Sequence, residues 1–258
     1  MSSYEQAKSF CTNILSTTTQ NNSNLPLVTL TYAQSLDGKI SGSGGQQLTL
    51  SCKESMIMTH RLRTLHDGIL VGIGTLLKDD PRLTARLIES EEISSIKQPQ
   101  PIILDSKLRF PLTARLLIQS KTEEFKAPWI FTSRDHDTNK RKLLEEAGAK
   151  IIPIDSDMKG QLSIYQILKT LHSPPFSISQ LMVEGGAKLI QSFLKSEMVN
   201  LLIITISPIF IGSNAVSATG DDNNILSLKG NFPLLTNIKY EKFGTDIIMV
   251  ANILSTKK

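Results

Sequence analysis

Cysteine is scarce in this chain: Cys11 and Cys52 are the only two among 258 residues. They cannot form a Cys-x-x-Cys metal site. With no leader-like segment ahead of them, they point to a reducing compartment. Aromatic residues are also thin, at 1 Trp, 4 Tyr and 9 Phe, which leaves no stacking platform for single-stranded nucleic acid. No apolar run has the length of a membrane span, so no membrane association is expected. The charge balance is mild: 28 basic against 24 acidic residues give a formal net charge of +4. The densest basic group, Lys140-Arg141-Lys142, reads as a solvated helix face and not as a nucleic-acid stripe. The four histidines, His60, His66, His136 and His172, belong to no Ser–His–Asp arrangement. The His-x-Glu and Pro-Cys-x-x-Cys pattern of zinc deaminases does not occur.

The rest of the composition, 40% hydrophobic and 20% charged, is that of a globular domain. Residues 1–24 are rich in Ser, Thr, Asn and Gln and read as a loosely ordered polar tail. Lys8 is the tail's single basic side chain, which does not fit an Arg-rich mitochondrial presequence, so a cytoplasmic protein is expected. Residues 25–258 read as one domain. In it, apolar β-branched runs at 26–35, 68–73, 101–106, 127–133, 149–155 and 180–184 alternate with helical patterns. One of these, at 51–66, has Ser51 and Glu54 placed as a capping box. Such alternation predicts a mainly parallel sheet with helices on its faces. The chain ends on a long strand at 199–212, broken near Pro208, a surface loop from 213, and an antiparallel hairpin over 237–254 that turns at Phe243-Gly244-Thr245.

In an open parallel sheet, ligands lie beyond the carboxyl ends of the strands. The stretch VGIGTLLKDDPRLT (71–84) resembles half a dinucleotide fingerprint. Gly72 and Gly74 are present, but Leu77 stands where a third glycine would be, and Asp79-Asp80 would repel a phosphate. Thr75 and Asp79, four residues apart, share a helix face and could point at a ligand; Thr75 could equally be a helix N-cap. A carboxylate there would suit a hydroxyl or amino group. The better phosphate site is VEGGAKL (183–189), where two glycines join a strand to a helix N-terminus, although a plain strand-to-helix turn has the same look. Arg63 and Arg86 could form a guanidinium fork for a phosphate monoester, or be surface arginines. Ser133-Arg134 ends a strand where a coenzyme ribose would lie; an arginine there suits a 2′-phosphate, or the pair caps the next helix.

The motifs TLTYAQSLDGKIS, HRLRTLHDGILVGIGTLLKDDPRLT, PIILDSKLRFP and VEGGAKLIQSFL, in this order, resemble the reductase family of riboflavin biosynthesis. That family also forms the second domain of bifunctional deaminase–reductases. Without deaminase motifs, the chain resembles the stand-alone members of fungi and archaea. The resemblance implies a dihydrofolate-reductase-like, three-layer α/β fold with a mainly parallel sheet and a C-terminal antiparallel hairpin. It also implies NADPH as cofactor and a homodimer. The implied substrate is 2,5-diamino-6-ribosylamino-4(3H)-pyrimidinone 5′-phosphate, whose side chain would be reduced at C1′ of the ring-opened imine. Residues matching the family's cofactor side are Thr75, Asp79, Ser106, Val183, Glu184, Gly185, Gly186 and Ala187. Ser133, Arg134 and Ile154 join them by strand-end position. Gln46, Arg63, Leu83, Arg86 and Glu184 match the substrate side. No side chain stands out as the proton donor, and no metal is implied.

Two rival readings stand beside this one. A dihydrofolate reductase proper would need a carboxylate early in the chain to face a pteridine. Asp37 lies near such a place, though SLDGK reads as a turn. A non-catalytic nucleotide- or RNA-binding protein would draw only on the mild positive charge.

Overall fold

The computed structural model describes residues 2–18, 24–122, 125–219 and 233–254. The most apolar segments form the parallel strands: β1 (Leu27–Ser35), β3 (Gly68–Gly72), β4 (Gln100–Leu104), β5 (Trp129–Ser133), β6 (Lys150–Ile154), β7 (Gln180–Glu184) and β8 (Leu201–Ser207). With the hairpin β10 (Leu234–Phe243) and β11 (Asp246–Leu254) they build a nine-stranded sheet of order β10-β11-β8-β1-β7-β3-β4-β5-β6. From β8 to β6 every neighbour pairing is parallel, and the two hairpin strands add antiparallel ladders at one side.

The helices cover both faces, because the strand residues alternate between two apolar sets. One face packs Val28, Leu30, Leu70, Leu181 and Val183 against α6 (Ile164–His172) and α7 (Ala187–Ser196). The other face divides. Ile69, Val71, Ile103 and Ile130 pack with α3 (Ile73–Asp79), α4 (Arg115–Gln119) and α5 (Thr138–Glu146). Met182, Leu201, Ile203 and Val250 pack with α1 (Ser3–Ser16) and α2 (Lys53–Thr64). This is the three-layer α/β fold expected from the strand–helix rhythm.

Three local readings need correction. The N-terminal stretch is not a loose tail over residues 3–16. Ser2 caps α1 by accepting from the Glu5 N–H, and Tyr4, Ala7, Cys11 and Ile14 are buried at helical spacing. Glu92 clamps the helix from outside, accepting from Tyr4 Oη at 2.8 Å and Lys8 Nζ at 2.5 Å. Residues 19–23 of that tail lie outside the described residues. The capping box at Ser51 and Glu54 does not form. Cys52 is the N-cap and makes no side-chain cap bond. Instead Asp246, from the distant hairpin, accepts the Cys52 N–H at 2.8 Å and also the Ser55 hydroxyl. Finally, the loop from 213 contains β9 (Ala215–Ser217), which pairs with β2 (Lys39–Ser43) in a small second sheet. Its continuation from 220 to 232 lies outside the described residues.

Candidate active site

An open cleft of about 1620 Å³ lies across the carboxyl ends of β1, β3, β4 and β7. The sheet order explains it: β7 lies between β1 and β3, so helices leaving β7 and β3 open beside each other. Both helices start on a glycine with no side-chain cap, Gly72 for α3 and Gly186 for α7. The first N–H groups of a helix have no partner inside it, so α7 begins with donors aimed at the cleft mouth.

The two glycines of the second turn have separate duties. A Cβ on Gly185 would sit 2.6 Å from Leu189 Cδ2 and 3.1 Å from Leu189 Cβ, so glycine there lets α7 pack on its own strand. A Cβ on Gly186 would meet nothing closer than Thr75 Oγ1, at 3.8 Å. The backbone at Gly186 is therefore open toward Thr75, leaving a cradle that a side chain would fill. Thr75 lies inside the first turn of α3 and not at its N-cap. One turn on, Asp79 Oδ1 is sheltered from water and has no hydrogen-bond partner among the described residues. Burial raises the Asp79 pKa and Lys78 only partly opposes this. An unpartnered buried carboxylate oxygen is costly, and a ligand hydroxyl or amino group would satisfy it. The cradle at Gly186, the uncapped α7 and the orphan on Asp79 together fit a nucleotide-like group.

Across β7 the site turns basic. Arg63 on α2 donates from Nε to Glu184 Oε1 and from Nη2 to Oε2, each at 2.8 Å, and from Nη1 to the Thr84 carbonyl at 2.9 Å. The partners are 13% and 20% exposed. Burial works against the guanidinium charge, but Glu184 overcomes it and raises the Arg63 pKa. Arg86 is exposed and makes no ion pair among the described residues. Its pKa is lowered by burial and then by Arg63, Arg82 and Arg115. Of the guanidinium groups at the cleft, Arg63, Arg109 and Arg115 each face a carboxylate, Glu184, Asp105 and Asp80, which leaves Arg82 and Arg86 without an ion pair among the described residues and able to draw in an anion. The loop that carries Arg86 is held in an uncommon shape, with Asp80 and Leu83 both at positive φ, 39° and 52°.

Of the residues read from sequence, the cleft brings together Thr75, Asp79, Ser106, Glu184, Gly185, Gly186 and Ala187 on one side. Arg63, Leu83 and Arg86 stand on the other. It does not bring in Ser133, Arg134 or Ile154. Ser133 Oγ donates to the Asp135 carbonyl at 2.8 Å. Arg134 pairs with Asp155 at the surface, both side chains more than half exposed. Ile154 is buried in the core. Val183 also points into the core, and only its backbone reaches the strand end. Gln46 closes a turn, its carbonyl accepting the Gly42 N–H at 2.8 Å, while its neighbours Gly45 and Gln47 line the cleft. The sequence reading missed Arg82, Arg109, Arg115 and His60, which also line it. Arg82 and Arg109 stand inside motifs already quoted, DDPRLT and SKLRFP, so position in a motif was the available signal. Asp37 is a turn residue. It accepts from Ser35 Oγ, from the Gly212 N–H at 2.7 Å and from the Ile211 N–H. These bonds, the Ser35 hydroxyl first, hold its pKa down at about 2, so it is no pteridine-facing carboxylate.

A mainly parallel sheet covered on both faces, with an open cleft over the carboxyl ends of its strands and an open glycine turn, defines an α/β protein of the kind that takes its ligand at the strand ends. The RibD C-terminal domain family matches residues 26–249, and the chain belongs to that family. It is 35% identical over 239 residues to the 2,5-diamino-6-ribosylamino-4(3H)-pyrimidinone 5′-phosphate reductase of Candida glabrata, covering 88% of this chain and 89% of that one. It is 36% identical to the protein of the same name from Archaeoglobus fulgidus, over 78% and 89% of the two chains. Among solved structures, the riboflavin biosynthesis reductase of Saccharomyces cerevisiae superposes with a TM-score of 0.71 at 29% identity, over 92% of this chain and 93% of that one.

Proposed function

We propose that this protein is a nicotinamide-dependent reductase that converts the ribosylamino side chain of 2,5-diamino-6-ribosylamino-4(3H)-pyrimidinone 5′-phosphate to the ribitylamino product. The observation that carries this reading is one cleft joining two different sites. An open glycine cradle at Gly186 and Thr75 faces a guanidinium group at Arg63 and Arg86, with Glu184 between them. A reductase acting on a phosphorylated sugar must hold two anionic molecules with their reacting carbons in contact, and this arrangement supplies both holds.

When bound, the nicotinamide coenzyme would supply a hydride to C1′ of the ring-opened imine, the imine nitrogen taking a proton from water. The residues of this chain do the holding. The α7 N-terminus and Gly186 receive a pyrophosphate, and Thr75 and Asp79 offer a hydroxyl and a carboxylate to a neighbouring ribose or amide. Arg86 is free for the substrate phosphate. Arg63 is already engaged by Glu184, so its part is to orient that carboxylate toward the substrate. Preference for NADPH draws on Arg109, three residues beyond Ser106 and also on the cleft lining, whereas Arg134 lies outside that lining.

A homodimer is also proposed: β10 leaves an open sheet edge with Leu234, Ile238 and Tyr240 exposed, which a second copy could cover. We place it in the cytoplasm; among the described residues no helix is long and apolar enough to cross a membrane. Coenzyme oxidation on adding the phosphorylated pyrimidine, with the ribitylamino product found by mass spectrometry, tests the reaction; coenzyme binding without any such turnover would count against it.

A further inference from the structure

The segment that carries Arg86 has little of its own to hold it in place. Between Arg86 and Lys97 no described side chain is buried, and Leu87 and Ile93 stand 39% and 59% exposed. An excursion without an apolar anchor keeps one shape only through polar bonds. At its base Gln98 accepts the Ala85 N–H at 2.8 Å and donates to the Ala85 carbonyl at 3.0 Å. The Arg86 N–H donates to His60 Nδ1 at 2.9 Å. Lys97 faces Asp67 at 3.8 Å, a loose surface pair that adds little. The far bend is held by Glu92, where three donors from two helices meet. Oε1 accepts from Lys8 Nζ at 2.5 Å, and Oε2 accepts from Tyr4 Oη and from Arg61 Nη1, each at 2.8 Å. Arg61 belongs to α2, two residues before Arg63. Tyr4 and Lys8 belong to α1, which lies ahead of the residues that match the family. That helix is firmly seated on the C-terminal hairpin: the Phe10 and Phe243 rings meet edge-on at 5.2 Å, and Gln6 donates to the Lys242 carbonyl at 2.9 Å.

We propose that Glu92 is a positioning residue and α1 the helix it leans on, the two together holding the 85–98 segment so that Arg86 reaches the substrate phosphate. This rests on the reading that Arg86 meets that phosphate. Among the described residues the cleft lining includes neither Glu92 nor any part of α1, so both act through the loop. The hold has a physical purpose. Arg86 is repelled by Arg63, Arg82 and Arg115, and an unanchored loop would relieve that repulsion by swinging outward. One exposed ion pair could not resist this. A carboxylate only 26% exposed, with a cation on each side and a phenol hydroxyl, is a network in place of a single pair.

Two variants loosen the clamp from opposite sides. Glu92→Ala removes the acceptor. Tyr4→Phe/Lys8→Met removes the two donors of α1 while keeping the buried ring and the apolar stem. The readouts are steady-state kinetics with the phosphorylated pyrimidine, coenzyme binding by calorimetry, and amide hydrogen exchange over residues 85–97. Both variants should raise KM for the pyrimidine about three- to tenfold, the coupling usual within one network, and leave kcat and coenzyme binding within about twofold. Exchange over 85–97 should quicken in both. In an Arg86→Ala background, Glu92→Ala should change KM by less than about twofold, because the two residues then share one effect. An unchanged KM in Glu92→Ala overturns the proposal, and so does a loss that multiplies with that of Arg86→Ala, the mark of a merely structural role. A normal KM in Tyr4→Phe/Lys8→Met overturns the part given to α1. Failure of the underlying reading looks different. Wild type that does not reduce the pyrimidine, or Arg86→Ala with a normal KM, refutes that reading. Exchange over 85–97 then still judges the clamp: quickened exchange in Glu92→Ala upholds it, and unchanged exchange overturns it.

Discussion

Replacing Arg63 by alanine should unfold the protein more easily before it does anything else. The guanidinium makes a two-pronged bond to Glu184 and a further bond to the Thr84 carbonyl, with the ion-pair side chains 13% and 20% exposed. Truncation leaves the Glu184 carboxylate poorly hydrated and unpaired, and the loss of one partner of such a pair costs about 3–5 kcal/mol. In a chain of this size that corresponds to a fall in Tm of roughly 6–20 °C. Arg86→Ala is the contrast. Arg86 is exposed and is repelled by Arg63, Arg82 and Arg115, so its removal should leave stability within about 0.5 kcal/mol. It should instead lower kcat/KM for the phosphorylated pyrimidine by roughly 10–150-fold, the effect of losing one charge-assisted phosphate contact. Denaturant unfolding and steady-state kinetics on the two variants, with the double variant Arg63→Met/Glu184→Leu, separate these roles. The double variant should recover much of the stability lost by Arg63→Ala, because no buried charge is left alone. The reasoning is refuted if Arg63→Ala unfolds like wild type, or if the double variant is no more stable than Arg63→Ala.

Further outcomes follow from the same geometry. Gly186→Val should weaken coenzyme binding by at least about 2 kcal/mol through lost N–H contacts, with little change in folding, because the side chain would fill the cradle facing Thr75; calorimetry on the folded variant checks it. Gly185→Ala should instead destabilise by about 1–3 kcal/mol, since its Cβ would lie 3.1 Å from Leu189 Cβ, and a thermal melt reads this directly. His66 is buried, bonded by Nδ1 to the Leu62 carbonyl and by Nε2 to Thr29 Oγ1, each at 2.8 Å, and burial lowers its pKa to about 4. The unfolded chain protonates this ring first, so stability is full above about pH 6.5 and falls as pH drops toward 4, by about 3 kcal/mol for this group. Urea unfolding between pH 7.5 and 4 should show that slope, and His66→Gln should remove this ring's share of it while leaving that of His60, whose pKa burial also lowers to about 4.

The strand–helix rhythm was legible because the central strands are buried on both faces and so read as continuous apolar runs. The C-terminal hairpin was legible from its turn at Gly244, which has φ of 58°. Helix α1 was hidden because two of its buried positions are the small residues Ala7 and Cys11, which barely register against a polar background. The start of α2 was misjudged for a different reason. Its capping carboxylate, Asp246, is 194 residues away in sequence, and a local pattern cannot show a remote cap. The site divides in the same manner. Gly185, Gly186, Thr75 and Asp79 sit in short contiguous motifs and could be read. The Arg63–Glu184 pair spans 121 residues, so Arg63 looked like a free fork when it is an engaged one. Arg134 falls outside the cleft lining because a strand end says which edge of the sheet a residue occupies, not how far sideways the cleft extends; β5 lies two strands beyond β3.

The most direct test of the account is substrate-dependent coenzyme oxidation by the purified protein. Three compounds should be offered in parallel: the ribosylaminopyrimidinone 5′-phosphate, its dephosphorylated form, and dihydrofolate. The account predicts rapid oxidation of NADPH with the first, a rate lower by at least about tenfold with the second, and none with dihydrofolate. Oxidation driven by dihydrofolate, or no oxidation with the phosphorylated pyrimidine while that compound is shown to bind, would contradict it.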